Sequence, residues 1–316
     1  MTRPAEKDLR RDAPRPFGAH LTLRWWVPLL LTAIVIAATY GLQLALSGAA
    51  ALVETGVLGK DPADASLTPL TYLATNLAII LIAPLVLLVL GTTSGVSWRA
   101  VMATGRTFAW RRLARHLGIF AILMVLVNAV VQVVQPSPLS AFAVTGTTVA
   151  LLAVIALTTP LQAAAEEIVF RGVLTAAYGS WIRALRPALV TGIILSSLLF
   201  AVLHTSADPW MLVNYLGLGV GTALMALISR GLEAAISYHV MNNVFAMTIG
   251  ALFAGGGGIV EDRTAGAAGP YMLIFVAAEA AAVGIVWRAE KNRSSRRSRR
   301  GASGEALRPD HPDHER

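Results

Sequence analysis

The chain has 316 residues, of which 55% are apolar and only 14% are charged, whereas soluble domains carry about 25% charged residues. A soluble fold of this length needs more polar surface than this composition supplies. The sequence contains no cysteine, which excludes disulfide scaffolds, thiol catalysis and thiolate metal sites. The net charge of +8 is concentrated before the first apolar run and after the last one, as membrane topology requires. The composition therefore predicts a polytopic membrane protein.

Eight apolar runs approach the length of about 20 residues that a membrane-spanning helix needs. They cover residues 27–47, 70–90, 117–135, 143–163, 188–206, 211–229, 232–253 and 270–287. An even number of spans places both termini on one side. Of the 26 lysines and arginines, 23 lie in the segments on that side, and only Lys60 and Arg263 lie in the opposite loops. The runs predict an all-α fold, and the asymmetry predicts that both termini lie in the cytoplasm. Arginine far outnumbers lysine and alanine is abundant, which favours a bacterial source and therefore the plasma membrane.

The runs divide the chain into five predicted parts. These are a basic cytoplasmic segment at 1–24, three transmembrane helices in 25–142, a core of four helical spans at 143–253, an outer Gly-rich loop with the last span at 254–288, and a disordered basic tail at 289–316. The tail is expected to contact anionic lipids of the bilayer, and we do not expect it to bind nucleic acid. Pro160 is expected to kink or restart the fourth helix, so that 160–178 forms a second helical piece.

Polar residues inside the apolar runs are the candidate functional residues. A charged group at membrane depth costs at least about 2.5–3.5 kcal/mol, so it is a functional hypothesis by default. Those groups are Glu166, Glu167, Arg171, His204, His239 and Glu279, with Asn243 as a costly neutral residue. Glu167 and Arg171 are four residues apart and can pair on one helix face. Glu166 points about 100° away and has no partner on its own helix, which makes it a candidate general base.

Two further helices carry paired polar positions. Phe200 and His204 share one face of the fifth run, and His239 and Asn243 share one face of the seventh. A neutral imidazole can act as a base, a metal ligand or a hydrogen-bond donor, and an asparagine can donate to a developing oxyanion. Measured along the helices, His204 lies much farther from the cytoplasmic end than His239. One common site therefore requires the two helices to be offset or tilted.

Glu279 has a different setting. It lies in an apolar run on the last span and is expected to form a buried interhelical contact. The small residues Gly217, Gly219 and Gly221 are expected to allow close packing between helices.

The three motifs together resemble the CPBP family of intramembrane proteases, which includes the type II CAAX prenyl endopeptidases and bacteriocin-processing or immunity-associated proteins. The motifs are Glu-Glu-x-x-x-Arg from Glu166, Phe-x-x-x-His from Phe200, and His-x-x-x-Asn from His239. The resemblance covers residues 143–253. It implies an eight-helix membrane fold and an endopeptidase that cleaves near the C-terminus of a membrane-associated or lipid-modified substrate.

The resemblance also implies roles for individual residues. It assigns catalysis to Glu166, His204, His239 and Asn243, and support of the site to Glu167, Arg171 and Phe200. Glu166 would activate the water, His204 would be its partner, and His239 with Asn243 would stabilise the oxyanion. Two accounts of that water stay open. Either Glu and His activate it directly, or Glu166, His204 and His239 hold a zinc ion with one open position.

Two other functions remain as alternatives at this point. One is a non-catalytic membrane scaffold or immunity protein that has the same fold. The other is a proton-coupled secondary transporter, in which Glu279, Glu166 and the two histidines would relay protons. The expected partners are a membrane-associated protein or peptide and the lipid bilayer, and nothing in the sequence names the substrate.

Overall fold

The computed structural model describes residues 15–305, without the side chains of residue 294 and of residues 296–305. The described chain is all-helical, apart from two isolated β-bridges. The helices are α1 Val27–Gly56, α2 Pro69–Ser94, α3 Trp98–Met102, α4 Trp110–Val134, α5 Gly146–Glu167, a π-helical segment Ile168–Leu174, α6 Thr175–Gly179, α7 Leu185–Leu203, α8 Pro209–Ser229, α9 Glu233–Leu252 and α10 Leu273–Glu305. Single 3₁₀ turns lie at Leu139–Ala141 and Pro270–Met272. The predicted all-α polytopic class is confirmed.

The exposed surface of the long helices is apolar. Leu44 is 79% exposed, Leu88 64% and Leu157 73%, each in the middle of a helix. In a water-soluble protein such leucines would form an aggregation surface. In a membrane protein they contact the hydrocarbon chains of the lipids. Within residues 15–305, seven helices are long and apolar enough to cross a bilayer.

The seventh predicted span, 232–253, is present as helix α9, but its composition does not match a lipid-facing span. The seven qualifying helices do not include Glu233–Leu252. Its first turns, from Glu233 to Val240, are buried within the protein. Each of the eight predicted runs overlaps a helix, but seven described helices qualify as membrane spans, and the first turns of α9 are surrounded by protein neighbours.

The fourth apolar run forms one continuous helical stretch, Gly146–Gly179. The expected restart at Pro160 is wrong, because α5 continues through this proline. Transmembrane helices tolerate proline where neighbouring groups satisfy the freed carbonyl. The irregularity lies instead at the π-helical segment Ile168–Leu174. The stretch of 34 residues is about 51 Å long at 1.5 Å per residue.

The last helix differs from the expectation for the basic tail. Helix α10 runs to Glu305, so residues 289–305 of the segment predicted to be disordered are helical. Arginine, lysine, glutamate and alanine are good helix formers, and a helix already started by an apolar span extends at little cost. The predicted tail at 306–316 and the first part of the N-terminal segment, 1–14, lie outside the described residues.

Glycines allow the closest helix contacts near the centre of the bundle. A Cβ on Gly172 would lie 2.6 Å from Val101 Cγ1, and one on Gly219 would lie 2.8 Å from Ser197 Cβ. The interpretation of the α8 glycines as a close-packing surface agrees with these contacts, since Gly217 and Gly221 lie against Glu279. Helices α5, α7, α8 and α9 are thereby held close enough for short polar side chains to meet.

Candidate active site

The two motif glutamates lie at the end of α5, where the helix changes to the π form. Thr175 donates through both its backbone N–H and its hydroxyl to the carbonyl of Phe170, five residues earlier. Single π-helical turns are frequent at functional sites, because the extra residue redirects the neighbouring side chains. Glu167 is completely buried and Glu166 is 9% exposed, so the adjacent glutamates occupy different environments.

A row of charged groups connects the π-helical segment to α9. Arg171 Nε lies 3.3 Å from Glu167 Oε2, and the other oxygen of Glu167 accepts a hydrogen bond of 2.7 Å from His239 Nδ1. The second ring nitrogen, His239 Nε2, lies 3.4 Å from Glu166 Oε2. His239 is thus held between two carboxylates, and its Nδ1 must carry a proton in order to donate to Glu167.

Arg171 is buried but not isolated. Besides Glu167, its guanidinium contacts the ring of Phe200, with Cζ 4.3 Å from the ring centroid, and that of Phe170 at 5.7 Å. Its Nη2 also donates to the carbonyl of Leu218 at 3.4 Å. An aromatic face attracts a cation most strongly when water is excluded. The motif residue Phe200 therefore contacts the same guanidinium that pairs with Glu167.

His204 follows the last residue of α7, and several contacts fix its ring. Its Nδ1 donates to the carbonyl of Phe200 at 2.8 Å, so the neutral ring keeps the lone pair on Nε2. The ring stacks on Tyr215 at a centroid distance of 4.1 Å. Arg263 from the loop after α9 donates to the carbonyl of His204 at 2.7 Å. The next residue, Thr205, has a positive φ of 49°, which turns the chain sharply away from the helix.

The motif residues of three helices meet around one cavity. The cavity has a volume of about 420 Å³, and Glu166, His204 and Asn243 line it. The two histidines, which lie on different helices, both contact the ring of Phe200, at centroid distances of 4.5 Å for His204 and 5.9 Å for His239. His239 lies behind Glu166 and does not line the cavity.

The offset that a common site requires comes from the start of α9. Gly231, just before this helix, forms a β-bridge with Ala103, so the α8–α9 turn is covered by the α3 region. Glu233 in the first turn is completely buried and receives a two-pronged hydrogen bond from Arg106, at 2.5 and 2.6 Å. Helix α9 thus begins inside the protein, which brings His239 to the level of Phe200 near the end of α7.

Several polar residues of the cavity wall were not predicted from the sequence. Asn243 donates to Gln162 at 3.3 Å, and Asn242 donates to Asn243 at 3.1 Å. On α2, Asn76 donates to Thr158 at 2.7 Å and also lines the cavity. Gln162 precedes Glu166 by one helical turn, and Asn76 interrupts an apolar run. The spacing of one helical turn before Glu166 could have identified Gln162, and the polar residue within an apolar run could have identified Asn76.

The residues proposed as zinc ligands do not form a ligand set. Within residues 15–305, no three His, Asp or Glu side chains are grouped closely enough to hold a metal ion. Both nitrogens of His239 face carboxylates, and His204 uses Nδ1 for a backbone carbonyl. A tetrahedral zinc site needs three protein ligands at about 2.0–2.2 Å from one point. The side chains of Glu166, His204 and His239 do not meet that requirement as they lie in this structure. Zinc as a cofactor stays a prediction.

Glu279 lies outside the cavity. It is 3% exposed on α10 and packs against the backbone of Gly217 and Gly221. Its Oε2 is buried and has no hydrogen-bond partner within the described part of the chain. Its burial at a helix–helix interface agrees with the expected interhelical contact, and it does not line the wall where Glu166 lies.

Comparisons with known proteins identify the core. Residues 145–245 match the family model described as type II CAAX prenyl endopeptidase Rce1-like. A Bacillus subtilis (strain 168) protein, the uncharacterized protein YyaK, is 28% identical over 156 residues, which cover 47% of this chain and 50% of that protein. The chain thus spans about half the length of this relative. No solved structure matches the chain significantly. The match supports the resemblance of the three motifs to CPBP intramembrane proteases, and residues 145–245 of this polytopic membrane protein are similar to the Rce1-like family.

Proposed function

We propose that this protein is an intramembrane endopeptidase that hydrolyses a peptide bond of a membrane-associated or lipid-modified substrate, near its C-terminus. One observation carries the proposal. Glu166, His204 and Asn243, from three different helices, line the same cavity, and the carboxylate of Glu166 is backed by a row of buried charges. The Rce1-like domain supports a protease of this type.

Glu166 is the proposed general base. Its Oε2 is buried, makes no hydrogen bond in the described chain and lies 3.4 Å from His239 Nε2. A carboxylate in this position can take a proton from water while the water oxygen bonds to the peptide carbonyl carbon. The proton then passes to the peptide nitrogen as the C–N bond breaks, which leaves a carboxylic acid and an amine. Transfer of the acid proton to the amine gives the carboxylate and ammonium products.

His204 and Asn243 are the proposed partners of the tetrahedral intermediate. With Nδ1 committed to the carbonyl of Phe200, His204 exchanges protons with the cavity only through Nε2. Asn243 has an amide N–H₂ group on the cavity wall, held by Gln162. Donors fixed before the reaction stabilise a developing oxyanion without the cost of reorganisation.

His239 acts on the reaction through Glu166 and is a positioning residue in this scheme. The hydrogen bond to Glu167 fixes its ring, and Arg171 in turn holds Glu167. The row of charges keeps the carboxylate of Glu166 in one orientation. A zinc site would require Glu166, His204 and His239 to move closer to one another. Cleavage in the presence of a chelator distinguishes the two accounts.

Purified protein in detergent tests the proposal. We expect wild type to cleave members of a panel of membrane-anchored peptides, detected by mass spectrometry, and expect Glu166→Gln and His204→Ala to lose that cleavage. Cleavage unchanged by a chelator supports direct activation by Glu and His, whereas its loss together with bound zinc supports the metal account. Retained cleavage by Glu166→Gln would contradict the assignment.

The matched control is Glu279→Gln, which neutralises another buried membrane carboxylate without altering the cavity wall. If Glu166→Gln complemented a deletion phenotype as well as wild type, the scaffold alternative would replace the protease. Proton-coupled uptake that is lost in Glu279→Gln and retained in Glu166→Gln would favour the transporter.

A further inference from the structure

The mouth of the cavity lies at one end of the helical bundle. Of the lining residues outside the long helices, Leu67 precedes α2, Thr205 lies between α7 and α8, and Glu261, Arg263 and Met272 lie between α9 and α10. All of these segments connect helices at the same end. No lining residue comes from residues 15–26, 95–109, 180–184 or 230–232, which join the helices at the other end.

Contacts between the loops confirm this grouping. At the end with the cavity mouth, Leu67 forms a β-bridge with Ile259, and Gly255 donates to the carbonyl of Ala141 at 2.8 Å. The same loop reaches the α7–α8 turn, where Ala207 donates to the carbonyl of Arg263 at 2.9 Å. If successive long helices cross the membrane in alternate directions from a cytoplasmic N-terminus, these connecting segments all lie on the non-cytoplasmic side. The hydrogen bonds join them to one another.

The opposite end is closed by packed segments. Arg15 donates to the carbonyl of Arg183 at 2.5 Å, and Trp181 donates to that of Trp25 at 2.8 Å. Beneath the motif residues, Val101 is completely buried against Gly172. A peptide therefore has no comparable opening towards the cavity from this end of the described chain.

The charges distinguish the two ends of the bundle. Among residues 15–305, the closed end has most of the lysines and arginines, including Arg99, Arg106 and Arg183, whereas Lys60 and Arg263 lie at the mouth end. Each of these two is paired with an acidic neighbour, Lys60 with Glu54 at 3.5 Å and Arg263 with Glu261 at 2.7 Å. Loops rich in lysine and arginine stay in the cytoplasm.

We infer that the cavity opens to the non-cytoplasmic side of the membrane and takes a peptide presented at the outer surface, such as an exported peptide or the outward-facing end of a membrane-anchored protein. The inference rests on the proposed function for the cleavage itself. It excludes as substrate a prenylated C-terminus that remains in the cytoplasm. The paired Glu261 and Arg263 form the polar rim that such a peptide passes first.

The lack of native cysteine makes this inference testable without assuming any activity. Single-cysteine variants are labelled in intact cells with a membrane-impermeant thiol reagent, and unmodified wild type serves as the blank. Val260→Cys reports the mouth loop, where Val260 is 79% exposed, and Ala246→Cys reports the cavity wall. Ala184→Cys, an exposed position in the turn before α7, reports the closed end.

We expect Val260→Cys and Ala246→Cys to be labelled in intact cells, and Ala184→Cys to be labelled only after the membrane is permeabilised. The reverse pattern would overturn the inference, and so would labelled Val260→Cys with Ala246→Cys protected. Leu58→Cys, at a 68% exposed position of the mouth end, replaces Val260→Cys if that variant does not accumulate. Labelling does not require catalysis, so the labelling pattern can be interpreted even if the protein shows no protease activity. Cleavage can likewise be interpreted whatever the labelling pattern is.

Discussion

The buried carboxylates around Glu166 and the buried carboxylate of Glu279 lie in different surroundings. Around Glu166 and Glu167, an arginine and a histidine complete a row of charges that ends at a cavity. Around Glu279, the neighbours include glycine backbone, one oxygen has no hydrogen-bond partner among the described residues, and the residue does not line the cavity. A buried charge costs several kcal/mol wherever it lies. Under the proposed function, the reactive carboxylate is the one that has fixed partners beside open space, and burial alone does not distinguish it from Glu279.

The largest expected effect separates the two places by activity. Glu166→Gln should lower kcat by about 10²–10⁴-fold, the usual contribution of a general base, with little change in KM. Glu279→Gln should leave kcat within about threefold of wild type. Steady-state cleavage of one peptide by both variants measures the contrast, and equal losses in the two would remove it.

The second prediction concerns stability in the charge row. Arg171→Met removes one partner and leaves Glu167 buried opposite His239 alone, which should cost about 3–5 kcal/mol in the free energy of unfolding. The double variant Arg171→Met with Glu167→Gln removes both members of the pair and should recover part of that loss. Denaturation in mixed detergent gives both values. A single variant as stable as wild type would show that the pair is not structural.

The third prediction compares a glycine from each place. Gly172→Ala would press against Val101, both its side chain and its carbonyl oxygen, and overpacking of this kind costs about 1–3 kcal/mol. Gly217→Ala would meet Glu279 Oε2 at 2.5 Å, the free end of a flexible side chain that can turn aside. We therefore expect the smaller loss of thermal stability at Gly217, and the opposite order would mean that Glu279 is held rigidly.

The smallest expected effect is on stability at Glu279 itself. Glu279→Gln removes a potential charge that has an unpaired oxygen, while the shape stays nearly the same. The free energy of unfolding should stay unchanged or rise by about 1 kcal/mol, because less polar character is desolvated. A loss above about 2 kcal/mol, read from the same denaturation curves, would reveal a partner for this carboxylate.

Much of the fold could be predicted from local pattern. Apolar runs locate helices because hydrocarbon requires them, and each of the eight predicted runs overlaps a helix. The spacing between Glu167 and Arg171, or between His239 and Asn243, fixes which side chains share a face. These inferences use only helical periodicity, so they did not depend on how the helices pack.

The contacts between helices were beyond such reasoning. Gln162 matters because Asn243 lies opposite it, and Arg263 because its loop folds back onto the end of α7. The π-helical segment Ile168–Leu174 also packs against another part of the chain, with Gly172 lying against Val101 of α3. A single sequence has no periodic signal for any of these contacts.

The buried start of α9 has a consequence for how the protein enters the membrane. This helix contains Glu233, His239 and two asparagines, and it is not among the seven that are apolar enough to cross a bilayer unaided. Its polar groups are satisfied by Arg106 before α4 and by Glu167 and Gln162 on α5. Those partners are synthesised earlier in the chain. Insertion of α9 is therefore expected to wait for a bundle that is already assembled, so the step that completes the bundle also brings His239 and Asn243 to the site.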